Sequence, residues 1–158
     1  MKELVQKLMK VLTEKKLTLA FAESVTCGLA THELNITPGT SETLMGGVIS
    51  YNENVKTNLL KVDAELIKKY TAESQEVTDA MAQNLPQLID ADIYVAITGL
   101  NADGGSETPE KPVGTVFFSL LFNGKLTSKR KVFKGSPMQI TKEACKEAYM
   151  LILETIGE

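Results

Sequence analysis

The stretch Leu17-Thr18-Leu19-Ala20-Phe21-Ala22-Glu23-Ser24-Val25-Thr26-Cys27-Gly28 decides how the chain is read. Its first half, Leu17 to Ala22, is a short and mostly apolar run, the pattern of a strand buried on both faces. The run stops at the polar pair Glu23-Ser24, and Gly28 to Leu34 then reads as a helix. Strand, polar loop and helix in that order put Ser24 where α/β proteins hold ligands, because the first N–H groups of a helix have no partner inside it.

Outward from that loop, strand and helix patterns keep alternating. Leu4, Val5, Leu8, Met9, Val11 and Leu12 recur at helical spacing among lysines and glutamates, which predicts an amphipathic helix covering a core. After the turn Thr37-Pro38-Gly39-Thr40, Leu44 to Tyr51 reads as a second strand, with Gly46-Gly47 permitting close approach of another backbone. Asn52 then caps a short helix carrying Lys56. Asp63 to Tyr70 and Ser74 to Ile89 read as helices, the second disturbed at Pro86, and Ile93 to Ile97 as a central strand. Asn123-Gly124 between the apolar runs Val113 to Phe122 and Lys125 to Phe133 signals an antiparallel hairpin. Met138 to Ile156, followed by Gly157, closes the pattern as an amphipathic helix. The expected architecture is a single three-layer α/β domain over residues 1–158, a mixed sheet that includes the C-terminal hairpin and is flanked by helices.

Composition agrees with one ordinary domain: 158 residues, 43% hydrophobic and 23% charged. A net charge of −3 lacks the basic footprint of a protein that binds phosphate backbones, so nucleic acid is not an expected partner. No run of apolar residues reaches membrane-spanning or signal-peptide length, which points to a cytoplasmic protein with no membrane partner. Cys27 and Cys145 stand far apart without a CxxC pattern and read as free thiols.

The candidate chemistry narrows by elimination. His32 is the only histidine and sits on a surface helix position, so neither a Ser-His-Asp triad nor a multi-histidine zinc site is expected. Neither GxGxxG nor a Walker pattern occurs, and no cofactor or metal is expected. A serine nucleophile without histidine needs a lysine of depressed pKa or a tyrosine relay, and Tyr51-Asn52-Glu53-Asn54-Val55-Lys56 holds both types. Spacing alone leaves open a solvated Lys56 and a rim aromatic at Tyr51. The Gly-, Pro- and Asp-rich segment from Gly99 to Lys111 is either a source of backbone donors for an anion or a flexible rim loop.

Five segments together resemble the CinA C-terminal domain family, whose characterised members are nicotinamide mononucleotide deamidases of pyridine nucleotide salvage. They are Leu17 to Ala20 with Ala22-Glu23-Ser24, Thr37 to Ser41, Gly46 to Tyr51 with Lys56 and Leu59-Leu60, Ala96 to Gly99, and Lys111 to Val116, in that order along nearly the whole chain. The resemblance implies hydrolysis of a nicotinamide carboxamide to a carboxylate and ammonia through an acyl-enzyme. It implies Ser24 as nucleophile, Tyr51 and Lys56 as the groups that activate it, and substrate contacts at Glu23, Thr26, Gly28, Thr98, Gly99, Gly104 and Gly105. It also implies a homodimer or larger homo-oligomer and a small, pyridine nucleotide-like substrate.

The chain departs from the family pattern in three places. Val25 and Cys27 stand where the family has a cysteine and a glycine, and Asn101-Ala102-Asp103 replaces an Ala-Gly-Pro run. The only arginine, Arg130, lies in the hairpin rather than at the start of the last helix, so the phosphate fork of the family is missing. Loss of turnover with retained binding, or hydrolysis of a different amide, are the alternatives those departures raise.

Overall fold

The apolar run before Ser24 forms a strand buried at every residue, and burial on both sides requires neighbours on both edges and layers on both faces. The computed structural model describes all residues, Met1–Glu158. In chain order the elements are α1 (Lys2–Lys15), β1 (Leu19–Glu23), α2 (Leu29–Asn35), α3 (Thr40–Thr43), β2 (Leu44–Ile49), α4 (Glu53–Asn58), α5 (Ala64–Tyr70), α6 (Gln75–Asn84), β3 (Ile93–Gly99), β4 (Thr115–Phe122), β5 (Lys125–Val132) and α7 (Pro137–Ile156). β1 pairs in parallel with β2 and with β3, β4 runs antiparallel to β3, and β5 antiparallel to β4. The sheet order is therefore β2-β1-β3-β4-β5.

Alternation along the strands divides the apolar residues between two cores. Leu19 and Phe21 of β1, Ile93, Val95 and Ile97 of β3, and Val116, Phe118 and Leu120 of β4 pack under α1, α2 and α7. Ala20, Ala22, Tyr94 and Ala96 face the other way, against Ile67 of α5 and Val77, Met81 and Ala82 of α6. The crossover from β1 to β2 thus passes over one face through α2, and that from β2 to β3 over the opposite face through α5 and α6. Connections that leave a strand's two neighbours on opposite faces open a crevice at its carboxyl end, and that end of β1 is Ser24.

Local chemistry places the helix ends. Asn52, Asp63 and Ser74 accept the amides of Asn54, Glu65 and Val77, and Pro86 turns the end of α6 into the tighter turn Leu85–Gln87. Several boundaries differ from the sequence reading, among them the following. β1 extends through Glu23, whose charge is absorbed by the following loop; β2 stops at Ile49, two residues short of Tyr51; Thr40–Thr43 form a short helix; and the last helix begins at Pro137 behind a Ser136/Gln139 capping box.

The chain between β3 and β4 is fixed at both ends. The Gly114 amide donates to the Leu100 carbonyl (2.6 Å) and its carbonyl accepts from Phe133 (2.9 Å). At φ 94°, a side chain there would put Cβ 2.0 Å from the Phe133 oxygen, so only glycine fits. No helix is long and apolar enough to cross a membrane.

Candidate active site

Backbone hydrogen bonds define the loop after β1. The Ser24 amide donates to the Ile97 carbonyl of β3 (2.9 Å), and the Cys27 amide donates back to the Ser24 carbonyl (3.1 Å). Glu23, buried at the strand end, takes the amides of Gly28 (2.8 Å) and Ala30 (3.2 Å) on one oxygen, and the amide (2.8 Å) and hydroxyl (2.5 Å) of Thr31 on the other. Four donors fill the acceptor capacity of a carboxylate. Glu23 is therefore a clamp that folds the loop onto α2, and the substrate contact expected there is corrected: no lone pair remains for a ligand.

The remaining amides of the turn are those of Val25 and Thr26, which donate to nothing within the chain. Buried N–H groups are nearly always paired, so two free ones beside a serine mark a place for an incoming acceptor. Val25 packs its side chain into the core, which is how this chain accommodates a valine there. Thr26 is buried and its hydroxyl has no hydrogen-bond partner. Gly28, at φ 92°, completes the turn, and its expected role as a substrate contact reduces to backbone geometry: its amide already serves Glu23.

Cys27 sits at φ 47° with an exposed side chain. A left-handed backbone costs a non-glycine residue roughly 1–2 kcal/mol, while glycine gives back about half of that through its greater freedom when unfolded. Cys27→Gly is expected to stabilise the fold by about 0.5–1 kcal/mol, read as a higher denaturant midpoint. An unchanged or lower midpoint would mean that the cysteine is not strained.

Lys56 reaches Ser24 from the other side. Its Nζ lies 3.1 Å from Ser24 Oγ and donates to the Ser50 carbonyl at 2.5 Å, with Lys56 1% exposed. Burial pushes the ammonium below the ordinary lysine value, and the charges of Glu73 and Glu53 oppose that shift. A solvated surface lysine is thereby ruled out. Ser50, which the sequence reading passed over, holds the arrangement: its amide (2.6 Å) and hydroxyl (3.1 Å) both bind the Glu23 carbonyl, while its own carbonyl takes Lys56. The signal was a serine ending an apolar strand.

Tyr51 is not brought to Ser24. It is 74% exposed and its hydroxyl makes no hydrogen bond within the chain. The reason is local, since Ser50 turns fully inward and the next residue turns out. Within this chain Lys56 alone hydrogen-bonds the Ser24 hydroxyl.

The other expected contacts divide. Thr98 is fully buried beside the Ser24 anchor point, with Oγ1 2.7 Å from Thr78 Oγ1. Thr78 gives its own proton to the Ser74 carbonyl (2.6 Å), so Thr98 is the donor of that pair. Gly99 serves pairing with β4, since a Cβ would lie 2.6 Å from the Thr115 oxygen. Gly104 and Gly105 line the largest cavity, about 660 Å³, together with Glu53, Asn54 and Thr57 of α4 and with Glu73 and Ser106. Ser24 is not among the lining residues; the cavity opens beside the helix that carries Lys56.

The 100–114 segment is no loose rim. Lys111 Nζ donates to Thr71 Oγ1 (2.7 Å), the Glu73 carbonyl (3.0 Å) and Ser106 Oγ (2.8 Å), and Ser106 Oγ in turn donates to Glu73 (2.5 Å). His32 is exposed, and no group of three or more His, Cys, Asp or Glu side chains is gathered to hold a metal ion.

A serine at a switch point, facing a buried lysine and two free amides, has counterparts to be sought in related chains. The CinA C-terminal domain model matches residues 1–156. A CinA-like protein of Prochlorococcus marinus is 38% identical over 152 residues, 92% of this chain and 35% of that protein. Another, of Mycolicibacterium gilvum, is 42% identical over 141 residues, 89% and 33% respectively. The chain thus spans about a third of the length of the curated relatives it matches. The crystal structure of the competence damage-inducible protein A from Klebsiella pneumoniae superposes with a TM-score of 0.94 at 28% identity, covering 99% of this chain and 97% of that one. Matched by the family model along nearly all its length, with the same fold end to end, the chain belongs to the CinA C-terminal domain family.

Proposed function

We propose that the chain is a serine-dependent amidohydrolase that cleaves the carboxamide of a nicotinamide nucleotide, turning nicotinamide mononucleotide and water into nicotinate mononucleotide and ammonia. The observation that carries this reading is the buried Lys56 amine 3.1 Å from the Ser24 hydroxyl. A lysine below its ordinary pKa supplies a neutral amine that accepts the serine proton as Oγ attacks the amide carbon. The Ser50 carbonyl keeps that amine aimed, since it accepts one of its N–H groups. The oxyanion of the tetrahedral intermediate meets the free amides of Val25 and Thr26, each such donor contributing about 3 kcal/mol. Lys56 then returns the proton to the leaving nitrogen, ammonia departs, and water attacks the acyl-Ser24 ester with Lys56 again as base. No part of this cycle calls for Tyr51. The family resemblance adds that the protein works in the cytoplasm on a small molecule, as a homodimer or larger homo-oligomer.

Incubating the purified chain with nicotinamide mononucleotide and following ammonia tests the reading, with Ser24→Ala alongside. Release from the wild-type chain that vanishes in the variant supports it; equal release from both ends it. A second reading, binding without turnover, is favoured by the strained Cys27 in the loop, and predicts thermal stabilisation by the nucleotide with no ammonia.

A further inference from the structure

The buried hydroxyls of this chain are paired, with one exception. Thr43 Oγ1 donates to the Gly39 carbonyl (3.0 Å), Ser50 Oγ to the Glu23 carbonyl (3.1 Å) and Thr78 Oγ1 to the Ser74 carbonyl (2.6 Å). Thr115 Oγ1 donates to the Pro112 carbonyl (2.7 Å), and Thr98 Oγ1 meets Thr78 Oγ1 at 2.7 Å. Thr26, only 2% exposed, is the exception: its Oγ1 is the one buried side-chain polar atom without a hydrogen-bond partner. An unpaired hydroxyl in the interior weakens the fold, so its position calls for a reason outside folding.

That position is the Ser24 turn itself. Threonines commonly donate to the carbonyl three or four residues back, as Thr13 does to Met9 (2.8 Å). Three residues before Thr26 stands Glu23, whose carbonyl already takes both the amide (2.6 Å) and the hydroxyl (3.1 Å) of Ser50. The Thr26 amide, like that of Val25, donates to nothing within the chain. In two of the three staggered rotamers a threonine hydroxyl stands gauche to its own amide, and both can then donate to one acceptor.

From this lone unpaired hydroxyl we infer that Thr26 is a catalytic residue whose side chain, with the Val25 and Thr26 amides, gives the oxyanion of the tetrahedral intermediate a third donor. The inference rests on the amidohydrolase reading and deepens it. No proton leaves the hydroxyl: Lys56 takes the Ser24 proton and returns it to the departing nitrogen, while Thr26 Oγ1 only shares its hydrogen with the oxygen that becomes negative. Because that charge appears as Ser24 attacks, the donor acts on the transition state more than on the bound amide.

Thr26→Val keeps the shape and removes the hydroxyl, and two effects of opposite sign are expected. The kcat for ammonia release from nicotinamide mononucleotide falls about 10²-fold with KM little changed. The denaturant midpoint of the free chain rises, because an unpaired polar group leaves the interior. Thr26→Ser keeps the hydroxyl and is expected to recover most of the lost kcat. A valine variant as fast as wild type overturns the inference and leaves the hydrolase reading standing. So does a serine variant that recovers nothing, since the loss then belongs to packing. A valine midpoint at or below that of wild type also overturns it, because the hydroxyl would then be paired in the free chain. A wild-type chain that releases no ammonia removes the hydrolase reading, and this donor with it.

Discussion

Lys56→Met is expected to slow ammonia release by about 10³-fold while leaving the fold intact. Methionine has nearly the length of lysine and removes a cation from a buried place, so the loss of a donor to the Ser50 carbonyl is largely offset. The pH dependence separates a base from a packing element. Burial holds the Lys56 pKa below its unfolded value, so the wild-type rate climbs as pH rises through that lowered value and the amine becomes neutral. The same linkage acts on stability: the folded chain carries an unfavourable buried ammonium at low pH, and that penalty is relieved between the lowered folded pKa and the ordinary unfolded one. Lys56→Met is expected to lose both the rising arm of the rate and this rise in stability. A variant that keeps the wild-type rate and its pH arm would remove Lys56 from the mechanism.

Glu23→Ala is expected to cost about 4 kcal/mol of stability. The amides of Gly28, Ala30 and Thr31 and the Thr31 hydroxyl all lose their acceptor at once, and each unsatisfied buried group costs about 1–3 kcal/mol before water reaches some of them. Glu23→Gln keeps the shape but replaces one acceptor by an amide nitrogen facing two donors, so roughly half the loss is expected. Denaturant titration of the three proteins reads the series directly. An alanine variant within about 1 kcal/mol of wild type would contradict the clamp role. Hydrolysis should fall with the clamp, because Ser24 and the free amides of Val25 and Thr26 share its loop.

The elements were legible in the sequence where a local rule specifies them. Asn123-Gly124 makes the hairpin turn, Asn52 caps a helix, and Pro86 ends one. The apolar run ending at Glu23-Ser24 located the serine for the same reason. What stayed hidden were features made by partners distant in sequence. Glu23 looks like any polar residue at a strand end until the amides of α2 fold back on it. Ser50 shows no sign that its carbonyl will aim Lys56, and the outward turn of Tyr51 follows from Ser50 turning in. Likewise Asp79 gathers the hydroxyls of Ser119 and Ser128 and the amide of Gln75 across the sheet, a network that no spacing rule announces.

The strand register also dictates a schedule of assembly. β4 and β5 meet across a two-residue turn, whereas Leu19 of β1 must find Leu44 on one side and Ile93 on the other. Neighbouring partners meet early and distant ones late, so the hairpin forms readily and the parallel half slowly. β1 is made before β3, and its inner edge stays open until β3 has left the ribosome. The Ile97 carbonyl that anchors the Ser24 amide arrives only then, so a nascent chain or fragment ending before β3 carries the serine without its anchor.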